Sequence, residues 1–255
     1  MDPYLLQNLL VALVIGVASG MIGAFILLKR MALVGDALSH VALPGIALAL
    51  AYQLDPLWGV LVFLMSAAIL VWWLEQHTKL SSEALVGLLF TASLAIGIVT
   101  IPDTEILESL FGEFPVFSPP AFLFVIGSGI VLTLLTFAYT RKFIFSIVSG
   151  ELAVVQGEQG SRNRLLLFLI FSCVVALGIK LVGTLLMGAL TIIPASIARN
   201  TSRSMRGYIA ASAIGGAGIA LGGVWLSYIF SWLPGPTIIL LGVGIFILSL
   251  FFKKM

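Results

Sequence analysis

The chain has 255 residues, of which 60% are hydrophobic and only 9% are charged, with 13 Lys and Arg against 11 Asp and Glu. Soluble globular domains carry about 25% charged residues, so this composition excludes a soluble protein and indicates one that crosses a membrane many times. We expect membrane lipid, and no nucleic acid, among its partners.

Hydrophobic runs divide the chain into predicted transmembrane helices, each of which needs about 20 apolar residues to span a bilayer. Eight runs reach or approach that length: 5–28, 37–52, 57–74, 84–101, 120–140, 165–182, 207–230 and 236–252. A further run, 184–198, is shorter and is either a ninth span or a re-entrant segment. We therefore predict an all-α polytopic membrane protein with 8–9 transmembrane helices. The first run lacks a basic leader and a cleavage site, so we expect a retained span.

Charges in the links between the runs predict the orientation of the chain. Basic residues such as Lys29 and Arg141 gather in one alternate set of links, and acidic residues such as Asp103 fall in the other set. Because cytoplasmic links carry the excess of Lys and Arg, the N-terminus is predicted outside and the C-terminus in the cytoplasm. For the links on both sides of 165–198 to be cytoplasmic, this stretch must go out and come back, which favours a broken hairpin with a turn near 180–183.

An acid and an imidazole interrupt one of the most apolar stretches. Asp36 and His40 are four residues apart, so a helix projects them from one face. Ionisable groups at membrane depth are costly and usually mark a path for a substrate or ion. Pro44 and Gly45 interrupt the helix a turn later, and irregular backbone at this depth is tolerated where it lines a cavity or is buried in protein. In the alternative interpretation, Asp36 only complements a helix dipole and His40 is a satisfied buried histidine.

Carboxylate and neutral imidazole are ligands of divalent ions such as zinc and manganese. Asp36 and His40 supply two ligands, fewer than the roughly four to six that such an ion needs. Two copies of the chain with this pair at their shared axis supply four. Ser39 precedes His40, but neighbouring residues on a helix point in different directions, which argues against a nucleophilic dyad. For His77 we favour a solvated loop over a metal site.

Two further patterns in the sequence predict the start of a helix and the close packing of helices. The outer segment 102–119 is acidic, and the prolines that end it predict the start of the next span at Pro119. Glycines recur at near-helical spacing in the first run and between 215 and 223, which predicts closely packed transmembrane helices.

The cytoplasmic stretch 141–164 contains the pattern of a short helix. Ser149 is a suitable N-cap, Glu151 favours a first turn, and glycines at 157 and 160 end the pattern. Leu152 and Val155 give the helix an apolar side. From the residues alone, such a helix either lies on lipid headgroups or docks a cytoplasmic partner.

Motifs along the whole chain resemble, in order, those of the membrane permease subunit of zinc/manganese ABC importers. The stretch 30–45, RMALVGDALSHVALPG, resembles the signature of that family. The other motifs are SEALVG at 82–87, LFG at 110–112, KLVGTLL to IPASIAR at 180–199, and LPGPTIIL at 233–240.

The resemblance implies a type II ABC importer-like permease fold, similar to that of the vitamin B12 and iron-chelate importers. It implies a homodimer that binds a pair of cytoplasmic ABC ATPases and receives its ion from an extracytoplasmic metal-binding protein. Asp36 and His40 match the metal-pathway residues of the family. The short cytoplasmic helix falls where the family couples to its ATPase, which favours docking; the residues concerned are Ser149, Gly150, Glu151, Leu152, Val155 and Gly157.

From this resemblance we expect one permease domain over 1–255, in the bacterial cytoplasmic (inner) membrane. No permanently bound cofactor is expected, and the transported ion is Zn²⁺ or Mn²⁺, with iron as a further candidate. The chain has no Walker-type loop, so ATP hydrolysis belongs to a separate partner and this chain is a transport subunit rather than an enzyme.

Two other functions were weighed against this one. A proton-coupled secondary metal transporter would use Asp36 as a proton relay without an ATPase, and usually shows an inverted repeat, which we do not find. An intramembrane metal-dependent hydrolase would need a further ligand, as in H-E-x-x-H, and the sequence contains no such run.

Overall fold

The computed structural model describes residues 3–100, 110–148 and 158–251, and these ranges contain ten helices. They are α1 (Pro3–Leu28), α2 (Ala32–Val41), α3 (Leu43–Ala51), α4 (Pro56–His77), α5 (Ser82–Thr100), α6 (Pro119–Val148), α7 (Glu158–Val182), α8 (Thr184–Thr201), α9 (Met205–Phe230) and α10 (Pro234–Phe251). The all-α architecture predicted from the sequence is therefore confirmed.

Eight segments in the described part of the chain are long and apolar enough to cross a membrane, and α2 and α3 together supply one of them, Val34–Ala51. Helix α8 is not among the eight. Its 18 residues nevertheless extend about 27 Å, close to the thickness of the hydrocarbon core. With α8 as a ninth crossing, the chain ends on the opposite side from its start, as the charge pattern predicts. We name the two ends of the bundle outer and cytoplasmic after that prediction.

The predicted break near 180–183 is confirmed. Helices α7 and α8 are joined by the single residue Gly183, whose φ is +87°. This backbone region is open to glycine and strained for other residues. The predicted start at Pro119 is also confirmed, since α6 begins there.

The cytoplasmic link around 141–164 differs from the prediction. Helix α6 continues to Val148 and α7 begins at Glu158, so both ends of this link belong to the long helices. Gly160 lies in the first turn of α7 and does not end a short helix. The predicted coupling residues lie outside the described residues: Ser149, Gly150, Glu151, Leu152, Val155 and Gly157.

The core lies between α1, α7, α8 and α9, and α1 and α9 meet backbone to backbone. A Cβ on Gly16 would lie 2.5 Å from the Gly216 carbonyl oxygen, and one on Gly20 would lie 2.2 Å from the Ser212 carbonyl oxygen. The buried Ser212 hydroxyl donates to the Gly20 carbonyl. The predicted role of these glycines in close packing is confirmed. Gly218, which shares the spacing, has nothing within 4 Å of its Cβ position.

The second span is broken two residues earlier than the prolyl motif predicts. Helix α2 ends at Val41, α3 begins at Leu43, and Pro44 lies inside the first turn of α3. Proline has no N–H and its ring collides with the carbonyl four residues before it, which here belongs to His40. The break therefore falls after Val41, one residue beyond His40. Gly45 packs α3 on α4, since its Cβ would lie 2.4 Å from the Gly59 carbonyl oxygen.

Candidate metal-ion site and its surroundings

Asp36 and His40 lie on α2, as predicted, but their side chains meet different surroundings. The Asp36 residue is exposed on the protomer, although the span Val34–Ala51 is 72% buried within it. His40 is only 5% exposed. The pair therefore extends from an open surface of the protomer into its packed interior.

The His40 imidazole packs against an aromatic ring, and one of its nitrogens has no hydrogen-bond partner within the described ranges. Its ring meets Phe90 of α5 edge to face, with centroids 5.2 Å apart. Among the described residues, the buried Nδ1 has no hydrogen-bond partner. Buried polar atoms are nearly always hydrogen-bonded, and an imidazole nitrogen can also ligate a metal ion. This observation on Nδ1 argues against the interpretation of His40 as a buried histidine with all its hydrogen bonds satisfied.

The Ser39 hydroxyl forms a hydrogen bond within its own helix. It is fully buried and donates to the Asp36 carbonyl oxygen at 2.6 Å. A hydroxyl held by its own backbone in this way is not aimed at the neighbouring imidazole. This geometry agrees with the prediction that Ser39 and His40 do not form a nucleophilic dyad.

Within the part of the chain that the structure describes, one protomer does not complete a metal shell with acidic, imidazole or thiol groups. Across 3–100, 110–148 and 158–251, no group of three or more His, Cys, Asp or Glu residues could hold an ion. His77 is far from such a role, because it ends α4, is exposed, and stacks on Trp73 with centroids 4.4 Å apart. Asp36 and His40 are a candidate pair of ligands, and a metal site built on them needs further donors.

A cytoplasmic cluster of charged residues was missed by the sequence reasoning. Arg164 of α7 pairs with Glu75 of α4 at 3.0 Å, and Glu75 also accepts a hydrogen bond from Ser82 of α5. Lys29, just before α2, lies with its Nζ 5.6 Å from the centroid of Phe168. Burial, and then the nearby Arg164 charge, lower the pKa of Lys29 from 10.5 to about 8, against an opposing influence of Glu75. The cluster places Lys29, in the link between α1 and α2, beside the helix that follows 149–157.

The outer end is held differently, by three glycines from separate motifs. A Cβ on Gly183 would lie 2.2 Å from the Leu110 carbonyl oxygen, and one on Gly112 would lie 2.7 Å from the Gly183 nitrogen. A Cβ on Gly235 would lie 2.2 Å from the Val182 carbonyl oxygen. We call Gly112, Gly183 and Gly235 the outer glycine cluster. It brings together the starts or ends of three motifs that lie far apart in the sequence.

A cavity of about 450 Å³ opens beside the outer glycine cluster, with Glu113, Tyr228 and Trp232 among its lining residues. Its lining residues come from the stretch after Gly112, from the end of α9 and from the link to the start of α10, not from α2. The cavity is therefore separate from Asp36 and His40.

The comparisons with known proteins cover the whole chain. The model of the ABC 3 transport family matches residues 1–253. The high-affinity zinc uptake system membrane protein ZnuB of Haemophilus influenzae is 31% identical over 260 residues, covering 100% of this chain and 99% of that protein. The manganese import system permease protein ScaB of Streptococcus gordonii is 31% identical over 255 residues, covering 98% and 92%.

Two solved structures share the fold. PsaBC from Streptococcus pneumoniae, solved in complex with Fab, matches with a TM-score of 0.85 and 29% identity, covering 98% of this chain and 91% of that one. An inward-facing conformation of a putative metal-chelate type ABC transporter matches with a TM-score of 0.78 and 18% identity, covering 96% and 85%. The second likeness concerns the fold alone.

Proposed function

This chain belongs to the ABC 3 transport family, and from that membership and the geometry of α2 we propose that a transition-metal ion passes between Asp36 and His40 of two copies of it. The chain is a permease subunit of a zinc or manganese ABC importer and a multi-pass integral protein of the bacterial cytoplasmic (inner) membrane. It is a transport subunit rather than an enzyme. We propose that 1–255 acts as one permease domain.

The exposure of Asp36 is the observation that supports the proposal most strongly. A carboxylate facing lipid is costly, by up to about 2.5–3.5 kcal/mol at the centre of a membrane-spanning helix on insertion scales. Asp36 lies in a membrane-spanning segment and is exposed on the protomer. A second copy placed over this surface removes the carboxylate from lipid and brings two Asp and two His side chains together.

Two Asp36 carboxylates and two His40 imidazoles form a ligand set that suits zinc, manganese and iron. The ligands must bind strongly enough to offset lost hydration and weakly enough to release the ion inward. We propose that an extracytoplasmic metal-binding protein delivers the ion and that a pair of cytoplasmic ABC ATPases drives the change of access. Coupling through 149–157 remains a prediction from the sequence.

Uptake of radioactive zinc or manganese tests the proposal, in cells that lack their own importers and express the permease with its ATPase and binding protein. The variants Asp36→Asn and His40→Gln should lower uptake by about 10–100-fold, because even residues one step outside a metal's ligands have effects of that size. Competition among zinc, manganese and iron in the same cells identifies the preferred ion.

The chain offers matched controls in Asp55→Asn and His77→Gln. Asp55 caps α4 and is exposed, and His77 is exposed at the other end of the same helix. Uptake in both controls should stay within about twofold of wild type, as is usual for surface changes. Wild-type uptake by the Asp36 and His40 variants, at equal amounts of protein in the membrane, would remove the pathway assignment. Uptake without the ATPase would instead favour a secondary transporter.

A further inference from the structure

Helix α8 crosses α2 at Asp36, and the crossing leaves no room for a side chain on α8. A Cβ on Gly188 would lie 2.6 Å from the Asp36 Cα and 2.8 Å from the Asp36 nitrogen. Ordinary van der Waals contact begins at 3.4 Å. A methyl group at 188 therefore forces one of the two helices to move by about 1 Å, since packed interiors have little slack.

Within one turn of Gly188, helix α8 meets α1 at its backbone and α7 through a side chain. A Cβ on Gly23 of α1 would lie 2.0 Å from the Thr191 carbonyl oxygen. On the α7 side, a Cβ on Gly178 would lie 2.5 Å from the end of the Met187 side chain. Since α1 approaches the α8 backbone this closely, with no flexible side chain between them, α8 is the less movable partner at the crossing.

Helix α2 is the more movable partner. It has only ten residues, its N-cap residue Met31 makes no side-chain capping bond, and it ends at the break after Val41. The residue that leads into it, Arg30, has a φ of +60°. Short helices draw little stability from their own hydrogen bonds, so α2 yields first when the crossing is crowded.

We infer that Gly188 is a positioning residue, whose missing side chain sets the distance of Asp36 from α8 and hence the place where its carboxylate meets the ion. The inference rests on the proposed function of Asp36. Functional side chains must be held within about 0.5 Å of their working geometry. A displacement of about 1 Å therefore changes which ion the paired site accepts and how fast it passes.

Gly35 offers a matched control on α2 itself. It precedes Asp36, yet its Cβ would lie 3.6 Å from Phe171 and 3.9 Å from Ile192. Both are ordinary contacts directed into the protomer. Gly35→Ala thus adds the same methyl group beside the same carboxylate without crowding a helix crossing.

Cross-linking between the two copies measures the position of residue 36 directly. The full complex carries Asp36→Cys and Cys173→Ala, and membranes are treated with bifunctional thiol reagents of graded length. The proposed axis predicts cross-linked dimers in this background. Adding Gly188→Ala should change the cross-linking rate by about threefold or more, as expected for a shift of about 1 Å at a tightly held site. Adding Gly35→Ala should leave the rate unchanged.

Transport with native Asp36 supplies the functional readout. Gly188→Ala should lower uptake by about tenfold and alter the ratio of zinc to manganese uptake, since a 1 Å misplacement alone can cost on the order of 100-fold. Gly35→Ala should keep both values. A merely structural defect would reduce the amount of assembled complex and leave the ion ratio of the remainder unchanged, which would overturn the inference.

The outcomes separate the two proposals. If residue 36 forms no cross-link between copies in the parent background, the proposed axis itself is wrong. If the cross-link forms and Gly188→Ala leaves its rate unchanged, only the positioning role is wrong. If Gly188→Ala fails to assemble while Gly35→Ala assembles normally, α2 does not yield as inferred, and the positioning role is again wrong.

Discussion

The two ends of the bundle are held together by different kinds of contact. At the outer end, the outer glycine cluster joins α7, α8 and α10 to the stretch around Leu110 through backbone atoms. At the cytoplasmic end, a pair of charged side chains joins α4 to α7, and Lys29, in the link between α1 and α2, lies near that pair. Backbone contacts this close are compatible with only one arrangement of the helices, whereas charged side chains can exchange partners. The comparison suggests that the outer contacts move as a block, while the cytoplasmic contacts can rearrange next to 149–157.

The largest expected effect is at the outer end, for Gly183→Ala. Its φ of +87° and ψ of 160° fall in a region that is essentially restricted to glycine, with a cost of about 1–3 kcal/mol for other residues. The added Cβ would also overlap the Leu110 carbonyl oxygen. We expect a loss of at least about 3 kcal/mol, or failure to accumulate in the membrane. Thermal unfolding in detergent and the yield of protein measure this.

Gly244→Ala is the control, because nothing lies within 4 Å of its Cβ position. It should change the free energy of unfolding by less than about 1 kcal/mol, the range of helix propensities. If Gly183→Ala unfolds at the temperature of this control, the outer end is not fixed by its backbone.

The outer end also shows what the sequence can and cannot predict. Hydropathy and charge predict a turn near 180–183, because each run must begin and end near an interface. They do not predict that Leu110 and Gly235 reach that turn, since tertiary proximity leaves no periodic signal. The break after Val41 follows from Pro44 only once its ring is placed against the His40 carbonyl.

The candidate site was predictable to the same extent. Two ionisable groups in an apolar run identify Asp36 and His40 without a structure. The crossing at Gly188 was not predictable, because the sequence of a glycine-rich protein does not show which glycine contacts which helix. The pairing of Glu75 with Arg164 links residues 89 positions apart and was likewise invisible in the sequence.

At the cytoplasmic end, Glu75→Gln should have the next largest effect. The change keeps an oxygen that accepts from Ser82 but removes the charge that pairs with Arg164 at 3.0 Å. Glu75 is 15% exposed and Arg164 is 39% exposed, so solvent weakens the pair. We expect a loss of about 1–2 kcal/mol in the free energy of unfolding. Chemical or thermal unfolding of the detergent-solubilised protein measures it.

The exposed Glu83 of the next helix provides the comparison for that variant. Glu83→Gln should leave stability within about 0.5 kcal/mol. Equal effects of the two variants would show that the cytoplasmic cluster does not hold the helices together.

Lys29→Met should have a smaller effect, with a sign that depends on pH. Burial holds the pKa of Lys29 at about 8 instead of 10.5, so the folded state disfavours the charged amine. Below pH 8 the amine is charged in both states and destabilises the folded one. Between pH 8 and 10.5 only the unfolded state keeps the proton, so wild-type stability rises with pH.

We therefore expect Lys29→Met to be more stable than wild type at pH 7 by about 1 kcal/mol, after allowance for partial exposure. The advantage should shrink as the pH rises from 8 towards 10. Unfolding of both proteins across this range measures the difference. An advantage that is constant with pH would show that packing, not the charge, is responsible.

The smallest effects are expected at the helix caps. Each end of the bundle has one cap that can be compared with a cap at the other end. Asp55 at the outer end accepts a hydrogen bond from the Leu57 N–H at 2.9 Å, and Ser204 at the cytoplasmic end accepts one from the Gly207 N–H at 3.1 Å. Replacing either by Ala should cost about 1 kcal/mol. Similar losses, measured by unfolding in detergent, would show that the two ends differ in their tertiary contacts and not in how their helices begin. A loss at Asp55 larger than that at Ser204 by more than about 2 kcal/mol would contradict this, because it would place part of the outer rigidity in the caps.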